Sequence, residues 1–350
     1  MIVEKVRPAF RLAFAFALVL VFGLLLPQAV ASESCPEGAP CAAAFPLGPK
    51  LYLPVYASRP LGEAVPQIRR AVVVIHGVGR DARQYFHRVG EAARLEAVEE
   101  QTLIVAPRFT ISADRTTADR ASDQRNGAVF WDRNSNWRRG DWSSVLPEGQ
   151  ISSFRAVERL LAYLGDRALF PNLGKITVVG HSAGGQFVQR FAAGHAEIPE
   201  VAHTRLRYVA ANPGAYLYLN PYRPVQTFDG RFAPPHADLC GDYNHYDHGL
   251  DQLNRFMMRA SREKLVQHAR QRPLTLLLGE RDINPWDRTL NRTCSAALQG
   301  RHRLERGRLF KAHLDRFFAP HNTQVVLVPA VGHAGGSMFQ SDAGRAVIFF

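Results

Sequence analysis

The sequence predicts an α/β protein: a mostly parallel, doubly wound sheet with helices on both faces. Two observations carry that prediction. From Ala71 onward, runs such as AVVVIHG and TLIVAPRF are aliphatic or β-branched and are closed by Gly or Pro; strands apolar on both faces belong inside a sheet that is covered on both sides. Between such runs lie segments with helical spacing, among them ISSFRAVERLLAYLGD, which puts Phe154, Val157, Leu161 and Leu164 on one face.

Taken in order, KLYLPVYASRP reads as one or two antiparallel edge strands ahead of the parallel part. AVVVIHG and TLIVAPRF follow as strands, then the helix just described. KITVVG is a strand, QFVQRFAAG a helix, LRYVAANPG and LTLLLGERD strands, RLFKAHLDRFF a helix and QVVLVPAVGH a strand. Strands separated by helices require parallel crossovers. Two long stretches break the alternation, 110–149 and 216–249, rich in Asp, Asn, Gly, Pro and aromatics. Loops of that length in a compact domain usually carry function, so a loop-rich cap is expected. No internal repeat or low-complexity linker is visible, and one domain over 32–350 is expected.

With 350 residues and 46% hydrophobic content the chain can bury a large core, which excludes a disordered protein. Lys5, Arg7 and Arg11 flank an apolar run from Leu12 to Leu26, followed by Pro27 and AVAS. This is the layout of an export signal, residues 1–31, with cleavage after Ala31. The run is shorter than the roughly 20 residues a membrane-spanning helix needs, so no stable membrane anchor is expected after its removal. The mature protein would be secreted or periplasmic, where an even set of cysteines can pair. Of Cys35, Cys41, Cys240 and Cys294, proximity favours Cys35 with Cys41 and Cys240 with Cys294, although three connectivities are open. The net charge is +12, yet only five of the 43 basic residues are lysine and they form no dense run. No nucleic-acid partner is expected.

The stretch VVGHSAGGQF sets Ser182 directly after the strand KITVVG and directly before a helix, with Gly180 and Gly184 completing G-x-S-x-G. A sharp strand-to-helix turn needs small residues on either side of an exposed nucleophile, and the following helix N-terminus favours negative charge. Asp282 follows the strand LTLLLGER, His333 follows QVVLVPAVG, and HGVGRD follows AVVVI. In these motifs the chain resembles the α/β-hydrolase superfamily, from about Leu51 to the C-terminus. The resemblance implies an α/β-hydrolase fold and a catalytic set of Ser182 as nucleophile, His333 as base and Asp282 as acid. Asp287, five residues on, is the nearest substitute for the acid. The resemblance also implies an oxyanion hole from an N–H around Gly77 or Val78 together with that of Ala183. The glycine-rich HGGG form of that loop is absent here. WRRGDWS further resembles a stretch of exported bacterial α/β hydrolases related to esterases and polyester depolymerases.

The reaction expected is hydrolysis of a carboxylic ester, small or polymeric, through an acyl-enzyme and without a cofactor. Amide or polyester cleavage on the same residues is the alternative, and a catalytically silent binding protein is the alternative of another class. In HADLCGDYNHYDHGLD, His236, Cys240, Asp242, His245, Asp247 and His248 crowd together as metal ligands would. Their spacing matches no zinc pattern, and a polar loop beside the site mouth is expected instead. The loop aromatics Phe130, Trp131, Trp137, Trp142, Tyr216, Tyr218 and Tyr222 either line an acyl pocket or anchor the loops to the core.

Overall fold

The computed structural model describes residues 1, 41–114, 127–133, 136–147, 149–225, 230–236, 238 and 240–350. All but Met1 of the expected export signal lies outside these residues, as do Cys35 and its expected bond to Cys41. Among the described residues the strands are β1 (Cys41–Gly48), β2 (Leu51–Ala57), β3 (Arg70–Ile75), β4 (Thr102–Pro107), β5 (Lys175–His181), β6 (Arg205–Ala211), β7 (Arg223–Pro224), β8 (Phe232–Ala233), β9 (Leu274–Gly279) and β10 (Thr323–Val328). Eight of them form one sheet in the order β1-β2-β4-β3-β5-β6-β9-β10, and β7 and β8 pair by themselves. Pairing is parallel from β4 to β10, while β2 runs antiparallel to both β1 and β4.

The antiparallel edge differs from the sequence expectation. KLYLPVYASRP supplies a single strand that is paired on both sides, and the edge strand is CAAAFPLG, with Phe45 opposite Leu53. Its inward residues Cys41, Phe45 and Leu47 do alternate, but alanines and Pro46 blur the two-residue period in the sequence.

The helices are α1 (Ala82–Leu95), α2 (Ser153–Leu164), α3 (Ala183–Gly194), α4 (Arg262–Gln271), α5 (Cys294–Ala297), α6 (Arg303–Phe317), α7 (Gly335–Gln340) and α8 (Asp342–Phe349). They cover both faces because successive strand residues point to opposite sides. Val73, Ile75, Val178 and Leu278 pack with Phe154 of α2, Phe187 of α3 and Leu314 of α6. Val72, Val74, Val179 and Leu277 pack with Tyr85 and Val89 of α1, Phe339 of α7 and Ile348 of α8. None of the described helices is long and apolar enough to cross a membrane.

Both long loops are pinned to this core by their aromatics. Trp131, Trp137, Tyr216 and Tyr218 are fully buried. Trp137 stacks on Phe109 with ring centroids 5.6 Å apart, and Tyr216 stacks on Phe310 of α6 at 4.7 Å. These four are therefore anchors and not pocket walls. Trp142 lies under the Arg255 guanidinium at 4.0 Å, and Tyr222 is exposed beside Phe317. The second loop is also tied covalently, by a disulfide from Cys240 to Cys294 at the start of α5.

Candidate active site

Ser182 sits between β5 and α3, with its backbone in the left-handed region at φ 58°. The turn closes because two glycines allow the backbone to approach itself. A Cβ on Gly180 would meet Gly184 O at 2.2 Å, and one on Gly184 would meet Ile75 O at 2.2 Å and His76 O at 2.6 Å. No side chain fits at such distances. The Ser182 N–H donates to Ala211 O at the end of β6, 2.9 Å away.

Adjacent parallel strands bring the other two sequence-predicted residues to this end of the sheet. His333 Nε2 lies 3.0 Å from Ser182 Oγ, and His333 Nδ1 lies 2.7 Å from Asp282 Oδ2. Asp282 is 3% exposed and His333 remains partly accessible. Asn212, just past β6, locks the two loops to each other. Its amide oxygen accepts from Gly279 N at 2.8 Å, ahead of Asp282, and its amide nitrogen donates to Gly332 O at 3.0 Å, ahead of His333. Asp287 does not reach the histidine; its Oδ1 accepts from Arg303 at 3.0 Å.

The turn after β3 forms the facing wall. Arg80 N donates to Gly77 O at 3.1 Å, and the Arg80 side chain reaches Val78 O at 2.6 Å and both oxygens of Asp114 at 2.5 and 2.8 Å. Burial opposes ionisation of Asp114, but Arg80 and the Ile111 N–H hold its carboxyl below the usual range. Close packing of Gly184 on His76 O sets this turn against the start of α3. Among the described residues, the N–H groups of Gly77, Val78 and Ala183 have no backbone acceptor.

Behind the serine, the His181 ring lies 4.6 Å from that of His333, and its Nδ1 is 2.7 Å from the Tyr85 hydroxyl. Burial, together with the charges of His333, Arg88 and Arg303, holds His181 well below the ordinary histidine range. It is neutral at pH 7. Burial pushes Tyr85 up to about 12, so its hydroxyl keeps its proton and can donate to His181.

The polar loop HADLCGDYNHYDHGLD does not converge on a metal site. Cys240 is in the disulfide, His236 is exposed beside Asp238, and Asp247 is paired with the fully buried Arg190 at 2.9 Å and with His248 at 3.3 Å. Among the described residues, the one group of ligand-type atoms close together is Cys240, Asp242 and Cys294, two of whose sulfurs are already bonded to each other.

Asn212, Arg303, His181, Tyr85 and Asp114 were not found by sequence reasoning. Only His181, inside G-x-S-x-G, lay within a motif.

No protein-family model and no curated protein matches this chain. Solved structures do. The chain is similar to the poly(3-hydroxybutyrate) depolymerase LpqC of Bordetella parapertussis, with 24% identity and a TM-score of 0.58 over 87% of this chain and 88% of that one. It is similar also to poly(aspartic acid) hydrolase-1 of Sphingomonas sp. KT-1, with 23% identity and a TM-score of 0.60 over 89% of this chain and 99% of that one. Strand order, the strand-to-helix turn at Ser182 and these two likenesses agree, and the chain has the α/β-hydrolase fold.

Proposed function

We propose that this protein is an exported serine hydrolase that cleaves carboxylic esters through an acyl-enzyme on Ser182. The observation that carries this reading is the unbroken hydrogen-bonded chain from Ser182 Oγ through His333 to Asp282. His333 Nε2 takes the serine proton as Oγ attacks the ester carbonyl, then returns it to the leaving alcohol. Asp282 fixes the tautomer with the proton on Nδ1 and stabilises the imidazolium. The N–H group of Ala183, together with that of Gly77 or Val78, donates to the developing oxyanion; one such donor typically contributes about 3 kcal/mol to lowering the barrier. Water then enters by the same route and releases the acid. None of these steps calls on a metal or cofactor.

Export rests on the layout of residues 1–31 and fits the Cys240–Cys294 bond, which an oxidising compartment preserves. A polymeric ester is favoured as substrate by one feature of the loop that carries Asp282. Ile283 and Trp286, on that loop, are 52% and 76% exposed. Apolar side chains standing in water on this loop offer a landing surface for an apolar chain. By name, one of the two similar structures is of a depolymerase of poly(3-hydroxybutyrate), a polyester, and the other of a hydrolase of poly(aspartic acid), a polyamide.

The test is labelling with a fluorophosphonate, followed by chromogenic esters of increasing acyl length and a polyester emulsion. The expected outcome is labelling of the parent, none of Ser182→Ala, and retention of fold in both. An unlabelled parent would mean a binding protein. Turnover of anilides over esters would assign an amidase, and Trp286→Ala is expected to slow emulsion clearing more than soluble-ester cleavage.

A further inference from the structure

Arg303, the first residue of α6, is a fully buried cation that bridges two carboxylates. One nitrogen of its guanidinium lies 3.3 Å from Asp282 Oδ1, the oxygen that His333 does not use. The other lies 3.0 Å from Asp287 Oδ1 and 2.8 Å from Thr289 Oγ1. Asp287 also accepts from the Thr289 N–H at 2.8 Å, so the loop between the two aspartates is closed on the arginine. A buried arginine with one carboxylate would be neutral overall. With two, the group keeps one negative charge beside the histidine.

Resting on the reading of Ser182, His333 and Asp282 as the reacting set, we propose that Arg303 and Asp287 are positioning residues that set how strongly Asp282 holds the His333 imidazolium. Arg303 fixes the Asp282 carboxylate with Oδ2 toward His333. Alone it would also offset the charge of that carboxylate and weaken the hold on the imidazolium. Asp287 draws the guanidinium the other way and restores the net negative field. Burial opposes the charge on Asp287, but bonds to Thr289 and Arg303 keep it ionised to well below the usual carboxylate range.

The other groups facing His333 are fixed in sign. His181 from β5 is neutral, Tyr85 from α1 is protonated, and Arg88 from α1 is a cation near both. His302, next to Arg303, is held below the ordinary histidine range by burial above all. Further along α6, Glu305 and Arg306 are buried charges of opposite sign that also act on Arg303, and the charges tied to Asp282 by direct hydrogen bonds are Arg303 and, through it, Asp287.

The proposal makes signed predictions. The base must be unprotonated, so the acid limb of the rate profile follows His333. Asp287→Asn removes a negative charge and moves that limb to lower pH. Arg303→Met removes a positive charge and moves it to higher pH. A unit charge within about 10 Å is worth about 1 pH unit or more at an effective dielectric of about 20. Arg303→Lys keeps the charge but loses the fork, so its limb stays near the parent's while kcat falls.

The readouts are the pH dependence of fluorophosphonate labelling and the nitrogen-15 titration of the His333 ring in each variant. Opposite displacements for Asp287→Asn and Arg303→Met support the proposal. Unmoved limbs, or limbs displaced the same way, overturn it, because a purely structural brace lowers stability without a signed shift. If Arg303→Met fails to fold, the partly exposed Asp287 still decides: an unmoved His333 titration in Asp287→Asn refutes the proposal. A parent that titrates as expected but is not labelled refutes the hydrolase reading separately.

Discussion

Ser182 holds a backbone conformation that costs an L-residue about 1–3 kcal/mol, and such strain survives only where neighbours over-determine it. Here Ala211 O, Gly180 and Gly184 do so. The sequence favours Asp282 over Asp287 by its place at the strand end, although both stand in one loop after the same strand. Packing separates them, with His333 2.7 Å from Asp282 and Arg303 between the two. If Asp282 is the acid, Asp282→Asn cuts kcat/KM roughly 1,000- to 10,000-fold, because an amide favours the wrong imidazole tautomer. Asp287→Asn is expected to lose far less. Steady-state kinetics on the two purified variants checks this, and the reverse ranking reassigns the acid.

At the scale of elements, the strand-turn-helix unit was readable because glycine spacing and a β-branched run are local signals. The sequence could not reveal how tightly the unit is shut. Gly184→Ala drives a methyl group into Ile75 O and His76 O. The expected outcome is a loss of about 2–3 kcal/mol in stability, typical of overpacking in a core, together with loss of labelling. Urea titration followed by fluorophosphonate labelling measures both, and a fully stable, active variant would show that the turn relaxes. The loops were harder to read. Their aromatics suit either a pocket or an anchor, and only the partners Phe109 and Phe310 decide for anchoring.

The whole molecule carries histidines that burial keeps neutral. Burial, the largest influence on each, lowers His76, His248 and His268 to about 4 and His313 to about 3. His76 shows why: its Nε2 accepts from Phe109 N at 3.0 Å and cannot also hold a proton. Between pH 6.5 and 4 the unfolded chain binds protons that the folded one refuses, so stability is present above 6.5 and falls as pH drops through that window. Each such group contributes at most about 1.4 kcal/mol per pH unit. A Tm that stays flat from pH 7 to 4.5 in a thermal scan would contradict this. Reduction tests the same whole. The Cys240–Cys294 bond closes 54 residues, for which chain entropy gives about 4 kcal/mol at most. A reductant should therefore lower Tm, Cys240→Ser with Cys294→Ser should do the same, and a chelator should not.

The sequence by itself determined the alternation of strands and helices, the parallel sheet and the position of Ser182 on its turn. Each of these is a repeating or contiguous burial pattern, and burial of one element leaves its period in that element's own residues. Tertiary structure alone decided which strand forms the edge and that Arg303, Asn212 and Asp114 brace the site. Those partners are drawn from other elements, Arg303 lying 21 residues beyond Asp282 and Asn212 meeting a carbonyl 120 residues away. A buried polar group must find some partner, but that requirement fixes neither its type nor its spacing along the chain, so it leaves no period to read.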